Sequence, residues 1–131
     1  MKRTPVINSQ IAKAIAELGY TDWLVVGDAG LSIPKQVTKI DVAIARQVPT
    51  FSEVLQNVLT ELSVDRVYVA EEIKTANPDQ LDTIKHLLPT IPIVFIPHDV
   101  LKQRLGQVSA VIRTGEMTPF SNIILESGPF N

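Results

Sequence analysis

The segment Trp23-Leu24-Val25-Val26-Gly27-Asp28-Ala29-Gly30 begins as an apolar run and ends as a turn. A short apolar run that stops at Asp and Gly residues is typical of a strand that is buried on both faces. The segment therefore predicts a strand over 23–27. Asp28 is expected directly after the carboxyl end of that strand.

Helical patterns occur on both sides of this strand. Apolar residues at helical spacing predict helices over about 9–18 and 51–62, and Thr50 and Glu53 have the spacing of a capping box before the second. A third helix is predicted after Asn77-Pro78, which offers an N-cap and a proline at the first helical position. A short fourth helix is predicted over 99–105.

Strand-like segments alternate with these helices. They lie at 39–45, where the alternation is looser, and at 66–70, 93–96, 108–112 and 122–125. Alternating strands and helices predict one α/β domain over 1–131, in which a mainly parallel sheet is flanked by helices on both faces. The apolar tail, Ile123 to Leu125 with Pro129-Phe130, is expected either to contact another subunit or to fold back on this sheet.

Composition limits the classes of function. Twelve Lys and Arg residues against 14 Asp and Glu residues give a net charge of −2, and no basic run is present, which disfavours nucleic-acid binding. No apolar stretch approaches the roughly 18 residues that cross a bilayer, and the polar residues after Arg3 do not resemble a signal peptide. The absence of cysteine and the presence of only two histidines argue against a metal centre. A cytoplasmic protein is expected.

Polar residues follow several of the predicted strands. Ligands of parallel sheets bind beyond the carboxyl ends of the strands, so these residues are candidates for a site. They are Asp28, Glu71, Glu72, His98, Arg113 and Glu116.

Each candidate also has a purely structural interpretation. Asp28 could accept a ligand hydroxyl or a proton, or it could only form the turn with its own backbone. His98 could transfer protons or cap the following helix, and Glu71-Glu72 is better explained as solvated surface. Asp99, Arg113 and Glu116 are weaker ligand-binding candidates. Because no glycine-rich phosphate loop is present, a nucleotide is disfavoured, and a polyol-like ligand suits the remaining groups.

The chain resembles the D-ribose pyranase family, relatives of the fucose mutarotases, over nearly its whole length. The resemblance implies an enzyme that interconverts pyranose and furanose forms of ribose through ring opening, without a metal or a nucleotide. It also implies a ring-like homo-oligomer, often decameric, with each site shared between neighbouring subunits. The matching segments are 8–9, 18–22, 28–31, 33–34, 39–41, 70–74, 97–98, 110–116 and 118–122.

The same resemblance assigns roles to site residues. Tyr20 occupies the position of the family's proton-donor histidine, and Asp28 and His98 match residues that contact sugar hydroxyls. Lys102 lies four residues after His98 as in relatives, and Asn122 matches an amide near the chain end. Phe120 stands where relatives have a tyrosine.

Three interpretations stay open at this point. In the first, the protein is an altered mutarotase in which Tyr20 donates a proton and Asp28 or His98 accepts one. A tyrosine with its ordinary pKa near 10 is only about one part in a thousand phenolate at pH 7, so it suits the role of donor better than that of base. In the second, the protein is a noncatalytic sugar-binding or sensing oligomer. In the third, it is a scaffold whose motifs shape subunit contacts.

Overall fold

Six strands form a single sheet in the computed structural model, which describes residues 1–130. Along the sheet their order is β2-β5-β1-β6-β3-β4. In chain order the strands are β1 (Trp23–Gly27), β2 (Lys39–Asp41), β3 (Val64–Ala70), β4 (Ile93–Ile96), β5 (Ala110–Arg113) and β6 (Ile123–Ser127).

Strand β6 is the one antiparallel member of this sheet. It lies between β1 and β3, with Val25 opposite Ile124 and Val69 opposite Ile123. The other neighbouring pairs, β1 with β5, β2 with β5 and β3 with β4, are parallel. Because β6 runs against the rest, its amino end lies at the same edge of the sheet as the carboxyl ends of the other five strands.

Five helices connect the strands, and most of them begin where the sequence predicts. They are α1 (Ser9–Glu17), α2 (Phe51–Leu59), α3 (Ile73–Ala76), α4 (Pro78–Leu87) and α5 (His98–Arg104), the last continuing as a 3-10 turn over Leu105–Gln107. The predicted capping box is present, because Glu53 N–H donates to the Thr50 hydroxyl and Thr50 N–H donates to the Glu53 carboxylate. Asn77 caps α4 through Gln80 N–H, with Pro78 as the first helical residue.

The alternation of side chains along the strands produces two cores. On one face, Leu24 and Val26 pack with buried residues of α1, α2 and α4, and on the other, Val25 packs with buried residues of α5. Burial of each such side chain stabilises the fold by roughly 1.5–3 kcal/mol. The predicted α/β architecture, with helices on both faces of a mainly parallel sheet, is confirmed.

The structure corrects one local prediction and decides between two alternatives in another. The strand predicted over 39–45 ends at Asp41, because the chain then turns back on itself. In that turn Ile44 N–H bonds the Val48 carbonyl, and the Ile44 side chain is 82% exposed. The apolar segment Ile123 to Leu125 is the fully buried middle of the sheet and so offers no subunit contact. No helix within residues 1–130 is long and apolar enough to cross a membrane.

Candidate functional site

A cavity of about 270 Å³ opens at the carboxyl edge of the sheet. It lies where the turn after β1, the first turn of α5 and the loop before β6 meet. Five of the six residues to which the family resemblance assigns roles line it, all but Tyr20, although they come from three distant parts of the chain. Its lining consists of Asp28, Gly30, Leu31, Ser32, His98, Lys102, Pro119, Phe120 and Asn122.

Asp28 and Asn122 both line this cavity and bond each other twice. Asp28 N–H donates to Asn122 Oδ1 over 2.9 Å, and Asn122 Nδ2 donates to Asp28 Oδ2 over 3.1 Å. A side chain at the preceding residue would crowd this pair, since a Cβ on Gly27 would lie 3.1 Å from Asn122 Oδ1 and would also displace Leu31 Cδ2, 2.7 Å away. Gly27 therefore favours the close approach of the Asn122 side-chain amide to the carboxyl end of β1.

The Asp28 carboxylate serves the turn and faces the cavity at once. Its Oδ1 accepts Gly30 N–H over 3.0 Å, as in an Asx turn. Burial raises the pKa of Asp28 above its usual 3.8, and hydrogen bonds from Gly30 and Asn122 and the nearby His98 oppose that rise. Asp28 can thus form the turn and also accept a ligand hydroxyl or a proton, so the two interpretations that the sequence left open are compatible.

His98 is the first residue of α5, and its backbone N–H donates to both Glu72 carboxylate oxygens at 3.1 and 3.2 Å. Its ring meets the Phe120 ring edge-on, with centroids 5.1 Å apart and planes at 83°. His98 Nδ1 is buried and has no hydrogen-bond partner among residues 1–130. This ring nitrogen therefore has unused hydrogen-bonding capacity, while the His98 side chain as a whole borders the cavity.

Two further side chains contribute to the lining. Phe120 has a φ of 55°, a left-handed conformation that is uncommon for a bulky residue. Lys102 reaches Asp99 only over 3.8 Å, and both side chains are largely exposed. Such a surface pair contributes about 0–1 kcal/mol, so the ammonium group is free to turn toward a ligand in the cavity.

Tyr20 lies away from this cavity. It precedes β1, at the opposite edge of the sheet from Asp28, so about 13 Å of strand separates the two edges. Its side chain is 63% exposed and lines a surface groove between the ends of α1 and α2 and the chain end near Phe130. A single chain therefore does not bring Tyr20 and Asp28 into one site.

The remaining candidates have structural partners. Glu72 follows β3 and is exposed, as expected of solvated surface, and its carboxylate also accepts the first N–H of α5 from His98. Glu71 is paired with Lys74 at the surface. Arg113 bonds Asp41 at 3.1 Å and the Ala29 carbonyl at 3.0 Å, so it supports the turn beside Asp28.

Glu116 is buried, and its carboxylate bonds the start of α2, whereas Asp99 is exposed. The sequence did not predict that the Thr118 hydroxyl bonds the Glu116 carboxylate and the Ser121 hydroxyl. Hydroxyl residues in a loop give no sequence pattern that points to a partner. No cluster of three or more potential metal-ligating side chains occurs in the described part of the chain.

The fold and the cavity define a class of protein, an α/β domain with a small polar pocket at the carboxyl edge of its sheet. A family model described as the RbsD / FucU transport protein family matches residues 1–130, and the chain belongs to this family.

Close relatives extend this result. D-ribose pyranase of Levilactobacillus brevis is 56% identical over 128 residues, which is 98% of each chain, and that of Enterococcus faecalis is 57% identical over 127 residues, which is 97% of each. The structure of Bacillus subtilis RbsD complexed with D-ribose matches with a TM-score of 0.97 and 37% identity over the whole of both chains. The resemblance predicted from the sequence motifs is confirmed.

Proposed function

We propose that this protein is a mutarotase of the D-ribose pyranase type, which interconverts the β-pyranose and β-furanose forms of ribose by acid/base-assisted ring opening. The observation that carries the proposal is the cavity in which Asp28, His98, Lys102 and Asn122 converge. Its volume is near the lower end of the range for small-molecule sites, about 300 Å³, and is suited to one monosaccharide. The names of the relatives and the ribose-complexed RbsD structure support the same substrate.

Ring opening needs one proton acceptor and one proton donor. The anomeric hydroxyl gives its proton to the acceptor while the C1–O5 bond breaks and C1 becomes a carbonyl, and O5 takes a proton from the donor. The open chain then closes through its O4 hydroxyl, with the proton transfers reversed, and gives the furanose. No other reactant is needed.

Asp28 is our candidate for the acceptor, with His98 as the alternative. Burial raises the pKa of Asp28, so its carboxylate is a stronger base than that of an ordinary aspartate. The His98 ring and the partly exposed Lys102 ammonium, which both border the cavity, are placed to bind sugar hydroxyls. Phe120 provides an apolar surface against which the C–H groups of the sugar pack.

The donor in this proposal is Tyr20 of a neighbouring subunit. Tyr20 cannot reach the cavity of its own chain, but it is well exposed, and a neutral phenol carries a proton that it can donate. We therefore propose a homo-oligomer with a site at each contact between subunits, and we take its form, a decameric ring, from the family resemblance. A cytoplasmic location stays a prediction.

Saturation-transfer NMR of D-ribose at equilibrium tests the proposal, because it measures exchange between β-pyranose and β-furanose separately from binding. The unmodified protein should accelerate exchange. Tyr20→Phe should slow the catalysed exchange by about 100- to 10,000-fold, as expected for loss of a positioned acid, and Tyr20→His should restore it. Tyr68→Phe, which removes the only other phenol of the chain, is the matched control and should leave exchange unchanged.

Other outcomes would select the alternatives. Ribose binding by calorimetry without faster exchange would indicate a noncatalytic sugar-binding protein. Neither binding nor exchange would indicate a scaffold. Full activity of Tyr20→Phe would contradict the role of Tyr20 while leaving the mutarotase proposal intact.

A further inference from the structure

Glu116 has a buried carboxylate and bonds two of the segments that surround the candidate site, the turn after β1 and the loop before β6, without lining the cavity. Its side chain is held in the interior, with the residue 3% exposed, and Oε1 accepts Phe51 N–H at the start of α2 over 3.0 Å. Its Oε2 accepts the Thr118 hydroxyl over 2.8 Å, in the loop that leads to β6. Its own carbonyl accepts Ala29 N–H over 2.9 Å, in the turn beside Asp28.

The hydrogen bonds beyond Thr118 have a fixed direction. A hydroxyl has one proton, and that of Thr118 goes to the carboxylate, so Ser121 must be the donor in the 2.8 Å bond between the two hydroxyls. The Ser121 oxygen accepts in turn from Gln80 Nε2 at 3.0 Å and lies 3.4 Å from Asn77 Nδ2. Every proton in this chain of bonds points toward Glu116.

The residues on both sides of Phe120 in the chain are held by hydrogen bonds. Its neighbour Pro119 is held through its carbonyl by Asn77 Nδ2 at 2.9 Å, and its other neighbour is Ser121. A bulky residue keeps a positive φ only where the surrounding structure determines it, and here the bonds on both sides of Phe120 do so. The resulting conformation places the Phe120 ring against His98.

We infer that Glu116 is a positioning residue for the reaction, which acts through Thr118 and Ser121 to hold Phe120 against His98 and Asn122 against Asp28. The inference rests on the proposed function, since it concerns the same site. Glu116 does not touch the sugar in this scheme. It supplies the acceptor at which the hydrogen-bond chain ends.

A glutamine at this position cannot replace the carboxylate. An amide accepts through one end only, so either Phe51 N–H or the Thr118 hydroxyl loses its acceptor. If the amide NH₂ faced Thr118, the Thr118 proton would turn to Ser121. The Ser121 oxygen, with two lone pairs, would then face three donors.

The test compares four variants. Glu116→Gln and Thr118→Val each interrupt the chain of bonds, and Thr118→Ser retains the hydroxyl. Glu53→Gln is the matched control, because it removes a carboxylate that also caps α2 but has no bond to the loop before β6. We expect kcat/KM for ribose ring exchange to fall about 10- to 100-fold in Glu116→Gln and Thr118→Val, as for a small displacement of binding groups. Thr118→Ser should recover most of that loss, and Glu53→Gln should show none.

A second measurement does not depend on activity. The ring-proton signals of His98 report the Phe120 ring current, and exposed His86, the only other histidine, is an internal reference. In folded Glu116→Gln and Thr118→Val the His98 signals should shift while those of His86 stay in place. A role confined to stability would leave the His98 signals of the folded protein unmoved.

Two results would overturn the inference. One is an unchanged His98 signal together with an unchanged kcat/KM in Thr118→Val. This result would contradict the inference even if Glu116→Gln fails to fold. The other is a loss in Glu53→Gln equal to that in Glu116→Gln. Failure of the proposed function would give a different result. The unmodified protein would then neither bind ribose nor accelerate its exchange, whereas the His98 signals would still shift in Glu116→Gln and Thr118→Val.

Discussion

The Asn122 side chain bonds both the backbone N–H and the carboxylate of Asp28, over 2.9 and 3.1 Å. This pair joins the amino end of β6 to the carboxyl end of β1, which are neighbours only because the two strands are antiparallel. The carboxylate that we propose as the proton acceptor is thus oriented by a residue 94 positions later in the chain.

Asn122→Asp should disable the site. The second carboxylate removes the N–H donor and repels Asp28, which raises the pKa of Asp28 further. We expect kcat/KM for ribose exchange to fall by at least about 10- to 100-fold and the free energy of unfolding to fall by about 1–3 kcal/mol. Saturation-transfer NMR and urea unfolding measure the two effects.

Asn57→Asp makes the same chemical change on α2, where the amide bonds only the Pro5 carbonyl, and serves as the matched control. It should leave exchange unaffected. An Asn122→Asp protein with the exchange rate of Asn57→Asp would show that the Asp28 pair has no part in the reaction.

Exchange should depend on pH through Asp28. Burial raises its pKa above 3.8, and only the ionised form accepts a proton, so kcat/KM should decline as pH falls through this raised pKa. The folded state holds the Asp28 proton more tightly than the unfolded state, so this group stabilises the fold at low pH. That contribution is lost as pH rises through the raised pKa.

Carbon-detected NMR of the Asp28 carboxyl group locates its midpoint directly. We expect a midpoint above 3.8 that coincides with the acid limb of kcat/KM. A midpoint at or below 3.8 would contradict the expected desolvation of this carboxylate.

Mixing two inactive variants tests whether sites are shared between subunits. Tyr20→Phe lacks the proposed donor and Asp28→Asn the proposed acceptor, so each should be inactive alone. After unfolding and refolding together in equal amounts, random assembly should place intact Tyr20 and Asp28 at about one quarter of the contacts between subunits. Exchange should recover to that fraction of the unmodified rate, and no recovery would rule out a shared site.

Acid should destabilise the fold through Glu116. Burial alone would raise the pKa of Glu116, but hydrogen bonds from Phe51 and Thr118 outweigh it and hold the pKa below its usual 4.5. A lowered pKa stabilises the folded state above pH 4.5, and that contribution is lost as pH falls through the folded value.

Urea unfolding at a series of pH values measures this contribution. Glu116→Gln should cost about 1–3 kcal/mol at neutral pH, and the difference from the unmodified protein should shrink in acid. Glu53→Gln removes a fully exposed carboxylate and should cost less, because solvent screens it. Equal losses at all pH values would contradict a buried, ionised Glu116.

Much of the architecture follows from local patterns in the chain. The apolar run 23–27, the capping box at Thr50 and the Asn77-Pro78 start predict their elements correctly, because burial periodicity and capping involve residues a few positions apart. The location of Asp28 directly after β1 was predictable for the same reason. The resemblance to a known family, carried by short motifs, predicted five of the residues that line the cavity.

Tertiary structure alone determined how these parts meet. The antiparallel course of β6, the location of Tyr20 at the far edge and the link from Glu116 through Thr118 to Ser121 have no local signature. Strand order and direction depend on pairing between distant segments, and a buried carboxylate is defined by donors that only the folded chain brings near. The sequence therefore determined which residues follow each strand, and the fold determined which of them share a site.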